Sequence, residues 1–423
     1  MNTVYIVLHY LLMAAYITAP VYAIIRSIRG GRDAAPKLAT IGTFATGAAI
    51  GVALSVVYAV AVKGRFSIPQ AILAAYFATA MMILLKGFDA LLRAIVWRLS
   101  VTRKMADDGV TATVTIRKPA ATLGNLVRIV ILFGVGLPFV MSAVVTYRPK
   151  VLLNDDPRSQ LGFAFEPVNF PASDGVRVSA WWLPAQDGAR RVESDRTVIL
   201  AHGLGANKSN QLVLCRKLVP AGYNVLAIDF RAHGESGGQI SSFGDLERRD
   251  VLGAVRWLKQ SRPRSAAHIF GVGASQGAAA LIAAAADASD EGQAIEAVAV
   301  YGTFDDLNGL VNSIAEETFL PPFNWLMEAM ALPIASAHSG ANLRAFNPAD
   351  LATQLWPRPI LVIHGVQDQI IDFSHGRRLF ERATQPKENF WVPRGDHNSI
   401  INSDEAADAV LRFFNTARPE PII

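Results

Sequence analysis

The stretch "IFGVGASQGAAALIAAAA", residues 269–286, places Ser275 between Gly273 and Gly277, after a short apolar run and before a run of alanines. The first run reads as a buried strand and the second as a helix, so Ser275 falls on a sharp strand-to-helix turn. The glycines leave room for a strained backbone that lifts a hydroxyl clear of the sheet. A serine hydroxyl is a poor nucleophile until a base takes its proton, and that base needs a carboxylate to fix its tautomer. Both are present downstream: Asp368 lies just past a strand in "LVIHGVQDQIID", and His397 lies just past another in "VPRGDHNSI". Attack on an acyl carbon is the chemistry that such a set performs.

Other residues of the same types compete for these roles. Asp305 and Asp306 follow an earlier strand, and Asp372 is close to Asp368. His202 and His364, each followed by glycine at a strand end, read as structural, and Asp229 with His233 as loop-shaping. His268, His338 and His375 have no convergent partners in the sequence and read as surface or core residues. No cluster of His, Cys and carboxylate has metal spacing, and no glycine-rich phosphate loop is present, so no metal or cofactor is expected. The lone Cys215 cannot form an internal disulfide and reads as a small buried residue.

The elements that must hold these groups alternate from Phe163 onward. An extended pair flanks Asp174-Gly175, a hairpin signal. Short apolar strands such as "TVILAHG", "YNVLAIDF", "HIFGVG", "AVAVYG" and "PILVIHG" are then separated by helices. That pattern predicts a mostly parallel sheet with helices on both faces and chemistry at the carboxyl ends of its strands.

The segments "AHGLGANKSN", "IDFRAHGESGG", "GVGASQG", "IHGVQDQII" and "GDHNSI" carry a resemblance, over about residues 160–415, to the alpha/beta-hydrolase superfamily. The likeness is greater to its membrane-tethered serine hydrolases related to prolyl-oligopeptidase-like esterases. It implies Ser275 as nucleophile, Asp368 as orienting acid and His397 as general base and then acid. It also implies an oxyanion hole made by the backbone N–H groups of Leu204 and Gln276.

The amino-terminal third is different. Of 423 residues, 51% are hydrophobic and 18% charged, too apolar a balance for an ordinary globular chain. Apolar stretches at about 3–25, 38–62, 68–85 and 129–147 each approach the roughly 20 residues that span a bilayer. Residues 1–147 hold 14 Lys and Arg against 4 acids, leaving 26 against 31 in the remainder. The cations fall between the apolar stretches, which places the first and third connections in the cytoplasm and argues against nucleic acid as a partner. The helical pattern from Phe88 to Leu99 fits a helix lying on the membrane surface or an extension of the third span.

The resulting expectation is an alpha/beta-hydrolase fold, 161–423, joined by a tether at 148–160 to a four-helix transmembrane region, 1–147. It would sit in the bilayer as a multi-pass protein, in a bacterial inner membrane, with the catalytic domain on the extracytoplasmic side. An insert at about 305–357 forms a helical lid, whose Phe319, Phe323 and Trp325 are candidates for contact with an acyl chain. The expected reaction is hydrolysis of a carboxylic ester or thioester, on a lipid-like acyl substrate. An amidase or peptidase of the same fold, or a non-catalytic membrane scaffold or sensor, are the alternatives.

Overall fold

The computed structural model describes residues 68–105, 112–116, 118–131, 150, 155–188, 190–318, 321 and 323–416, with isolated positions between 45 and 49 and between 135 and 146. The chain divides into two compact units, Met1–Val144 with Pro321–Ala331, and Val145–Leu320 with Leu332–Ile423.

In the first unit, helix α1 (Ile68–Ser100) leads through the antiparallel pair β1 (Val101–Met105) and β2 (Ala112–Ile116) into α2 (Lys118–Ile131). Among the described residues no helix is long and apolar enough to cross a membrane. This overturns the expected four-helix transmembrane region, and with it the multi-pass, extracytoplasmic placement. The stretch 68–85 is not a span with ends of its own. It is the first half of a 33-residue helix that continues past Lys86, Asp89, Arg93 and Arg98. Asp89 pairs with Arg93 one turn on, and with Arg128 of α2 at 3.3 Å. The apolar run was a guide to composition but not to where the helix ends. The helical pattern at 88–99 belongs to that same continuous helix. The stretches at 3–25, 38–62 and 129–147 lie wholly or largely outside the described residues.

The second unit is built on an eight-stranded sheet. In chain order it contains α3 (Pro157–Leu161), β3 (Glu166–Pro171), β4 (Arg177–Leu183), the short pair β5 (Gln186–Asp187) and β6 (Arg190–Arg191), β7 (Arg196–Ala201), α4 (Leu212–Leu218), β8 (Asn224–Ile228), α5 (Arg248–Ser261), β9 (His268–Ala274), α6 (Gln276–Ala285), α7 (Asp290–Gln293), β10 (Ile295–Tyr301) and α8 (Leu307–Thr318). Helix α9 (Phe323–Ser339) starts in the first unit and ends in the second. Then come α10 (Pro348–Ala352), β11 (Ile360–Gly365), α11 (Phe373–Arg382), β12 (Lys387–Val392) and α12 (Asp404–Thr416).

Strands β12, β11, β10, β9, β7 and β8 run parallel in that spatial order, and β4 and β3 complete the other edge antiparallel. The β3–β4 hairpin turns at Asp174-Gly175. Alternate side chains of each inner strand serve two separate cores, because successive residues point to opposite faces. Ile199, Ala201, Leu226 and Ile228 join α5 and α6 on one face. Val198, Leu200, Val225 and Ala227 join α4 and α12 on the other. With both faces covered the inner strands are apolar throughout, and the polar groups collect beyond their carboxyl ends.

Candidate active site

Ser275 is the joint between β9 and α6, with φ 52° and ψ −119°. A non-glycine residue with positive φ costs on the order of 1–3 kcal/mol, and persists only where its surroundings hold it there. Here the neighbours are backbone. A Cβ on Gly277 would stand 2.3 Å from Ala201 O, and one on Gly273 would stand 2.5 Å from Gly277 O. Strand β7, β9 and the first turn of α6 therefore approach as closely as two glycines permit. The Ser275 N–H donates to Tyr301 O at 2.8 Å, which ties the turn to the end of β10.

The residue after Tyr301 is the meeting point. Gly302 has φ +48°, and a Cβ there would lie 3.3 Å from His397 Nδ1 and 3.4 Å from Asp368 Oδ2. His397 follows β12 and Asp368 follows β11, so the ends of four neighbouring strands bring these groups together. His397 Nδ1–H donates to Asp368 Oδ2 at 2.6 Å, leaving Nε2 as the basic nitrogen. The other Asp368 oxygen accepts the N–H groups of Ile370 and Ile371, each at 2.9 Å. His364 Nε2–H, in turn, donates to Ile371 O at 2.9 Å and braces that loop. Among the described residues the bond that engages His397 is to Asp368, and none joins it to Ser275 Oγ. A serine–histidine contact commonly tightens only when a ligand is bound.

The competing acids have other partners. Asp305 accepts from His375 Nδ1 and from Arg378 Nε at 2.7 Å. Burial alone would raise its pKa, but the His375 and Arg378 interactions outweigh it and hold Asp305 at about 2. Asp306 accepts the N–H groups of Asn308 and Gly309 at the start of α8. Asp372 accepts that of Ser374 at the start of α11. His375 thus has a specific partner that the sequence did not reveal.

His202 and His233 shape the loop after β7. His202 Nε2 accepts the Phe230 N–H at 3.0 Å, so its Nδ1–H donates to Gly203 O at 2.8 Å. Burial, and then the neighbouring His233, hold His202 well below the usual imidazole range. It is a neutral strut. His233 Nε2 accepts the Gly205 N–H at 3.1 Å. The N–H groups of Leu204, between these two braced residues, and of Gln276, the first residue of α6, donate to no acceptor among the described residues. Two unengaged amides beside the turn are what an oxyanion hole requires.

Sequence reasoning missed an ion cluster in which Lys208 and Asp229 are buried and Glu235 is exposed. Lys208 Nζ donates to Asp229 Oδ2 and Glu235 Oε2, both at 2.6 Å, and to Ser179 Oγ at 3.1 Å. Asp229 also accepts the N–H groups of Lys208 and Glu235, which joins the loops after β7 and β8. A lysine six residues after His202 was the available signal. Cys215 is buried, and burial pushes its thiol up to about 12, so it is inert. Among the described residues no group of three or more His, Cys, Asp or Glu side chains is placed to hold a metal ion. Of the proposed acyl contacts, Phe319 lies outside the described residues, Phe323 opens α9, and Trp325 on that helix is 61% exposed.

Residues 198–413 match the model of the alpha/beta hydrolase family. The chain belongs to that family. This alpha/beta hydrolase is 27% identical over 290 residues to the uncharacterized protein YfhR of Escherichia coli K12, covering 66% of the chain and 93% of YfhR. It is 28% identical over 229 residues to the uncharacterized protein YqkD of Bacillus subtilis, covering 54% of the chain and 71% of YqkD. Among solved structures it resembles the Pyrococcus furiosus esterase Pf2001, with 25% identity and a TM-score of 0.52 over 64% of the hydrolase and 99% of the esterase.

Proposed function

We propose that this hydrolase is a serine esterase acting on carboxylic esters or thioesters. In this reading His397 Nε2 takes the Ser275 proton as Oγ attacks the carbonyl carbon. Asp368 stabilises the imidazolium, and the Leu204 and Gln276 N–H groups hold the oxyanion. His397 then gives the proton to the leaving alcohol or thiol, which departs and leaves an acyl-serine. Water, deprotonated by His397, attacks that ester and releases the acid. The observation that carries the reading is the 2.6 Å Asp368–His397 bond packed on Gly302, one residue beyond the carbonyl that anchors the strained Ser275. Likeness to an esterase of the same fold supports it.

For the acyl group we assign an apolar chain, withdrawn from water as it binds. A fluorophosphonate probe tests the reading: the protein is expected to label covalently, and Ser275→Ala to abolish both labelling and ester turnover. Labelling that persists in Ser275→Ala would remove Ser275 from the mechanism.

A further inference from the structure

Thr146 is linked by hydrogen bonds to Gln276, the residue after Ser275. Thr146 is 1% exposed, and its Oγ1 lies 2.6 Å from His338 Nε2, near the carboxyl end of α9. Its carbonyl accepts the Ser241 N–H at 2.8 Å. Ser241 Oγ–H then donates to Gln276 Oε1 at 2.9 Å. All four residues are buried, and all belong to the same compact unit. Lys150 Nζ, four residues beyond Thr146, donates to Ser236 O.

We propose that Thr146 is a positioning residue for the oxyanion hole, acting through Ser241 and the side chain of Gln276, and that it couples the end of the lid helix to catalysis. The proposal rests on the serine-esterase reading. Gln276 is the first residue of α6, where no preceding helical turn fixes it, and its N–H must point at a charge that exists only in the transition state. Ser241 holds the Gln276 side chain from the loop between β8 and α5. Its N–H is engaged by Thr146, and Thr146 is held by His338. A small displacement of an oxyanion donor weakens transition-state binding while leaving ground-state binding almost unchanged, so the relay acts on kcat rather than KM.

The full-length chain is assayed with a p-nitrophenyl ester and with a trifluoromethyl ketone, whose hemiketal oxygen occupies the oxyanion hole. Thr146→Val and Ser241→Ala are each expected to lower kcat about tenfold, the size of one lost hydrogen bond. KM is expected to stay within about twofold, and ketone affinity to fall in the same proportion as kcat/KM. The double variant should be no worse than the poorer single one, because both break one chain. Thr146→Ser should restore kcat. Wild-type kcat in both single variants, or multiplied losses in the double, overturns the relay. So does a kcat loss with unchanged ketone affinity. Should Thr146→Val fail to fold, Ser241→Ala carries the same readouts. Absence of fluorophosphonate labelling in the wild-type chain overturns the esterase reading itself, whereas a labelled wild type with unaffected variants overturns the relay alone.

Discussion

Asp368 binds His397 through one carboxylate oxygen at 2.6 Å while its other oxygen accepts two backbone N–H groups from Ile370 and Ile371. The carboxylate therefore cannot swing without breaking three hydrogen bonds, and the imidazole that it holds keeps Nε2 directed away from it. Asp305, at the end of the neighbouring strand, is occupied by His375 and Arg378.

Asp368→Asn is thus expected to leave a folded protein whose ester turnover is lower by roughly 10⁴-fold, because an amide in that place favours the wrong imidazole tautomer. Asp305→Asn should lower the melting temperature with far less effect on kcat. Steady-state kinetics and a thermal melt on the two variants decide the matter, and a catalytic collapse in Asp305→Asn with activity retained in Asp368→Asn would reverse the assignment.

The turn at Ser275 stores strain. Since Ser275 adopts φ 52°, Ser275→Gly should be inactive yet more stable than wild type by about 1 kcal/mol. By contrast, Gly277→Ala forces a methyl to within 2.3 Å of Ala201 O. Its neighbours are backbone and cannot step aside, so a loss of about 3 kcal/mol or more is expected. Urea denaturation of both variants gives the comparison; a destabilised Ser275→Gly would mean that the turn carries no strain to release.

Legibility in the sequence followed the range of the interactions concerned. The Ser275 turn could be read because its constraint is local: two glycines in five residues are needed by the backbone itself. The sheet was readable for the same reason, since Val198 to Ala201 and Val225 to Ile228 show burial on both faces. Chain order fits Asp305 as well as Asp368, so choosing Asp368 from sequence rested on its place just past a strand and on the resemblance carried by "IHGVQDQII". The Lys208–Asp229 pair and the Thr146–Ser241–Gln276 chain depend on how loops far apart in sequence cross above the sheet, which no periodicity encodes. The error at 68–85 has another cause: hydropathy reports how much a stretch avoids water, whereas the extent of a helix also depends on partners such as Arg93 and Arg128 for its charged residues.

Acid should expose the Asp305 interaction. The pKa of Asp305, about 2 against an ordinary 3.8, is lower in the folded state than in the unfolded one. The unfolded chain therefore binds more protons between those values. The stability that this group contributes is complete above about pH 4 and is lost as pH falls toward 2, and after allowance for its partial exposure it amounts to about 1–2 kcal/mol. Melting temperatures between pH 5 and 2.5 should fall less steeply for Asp305→Asn than for wild type. Parallel curves would show that Asp305 titrates normally.

The acyl preference is read most directly from a chain-length series. Each methylene withdrawn from water contributes about 0.8 kcal/mol, so four added carbons improve binding by at most about two orders of magnitude when burial is complete. The kcat/KM values for butyrate, octanoate and dodecanoate esters, measured below their micelle concentrations, should then rise along the series. A wild-type series that is flat or falling would instead favour a small, soluble acyl group.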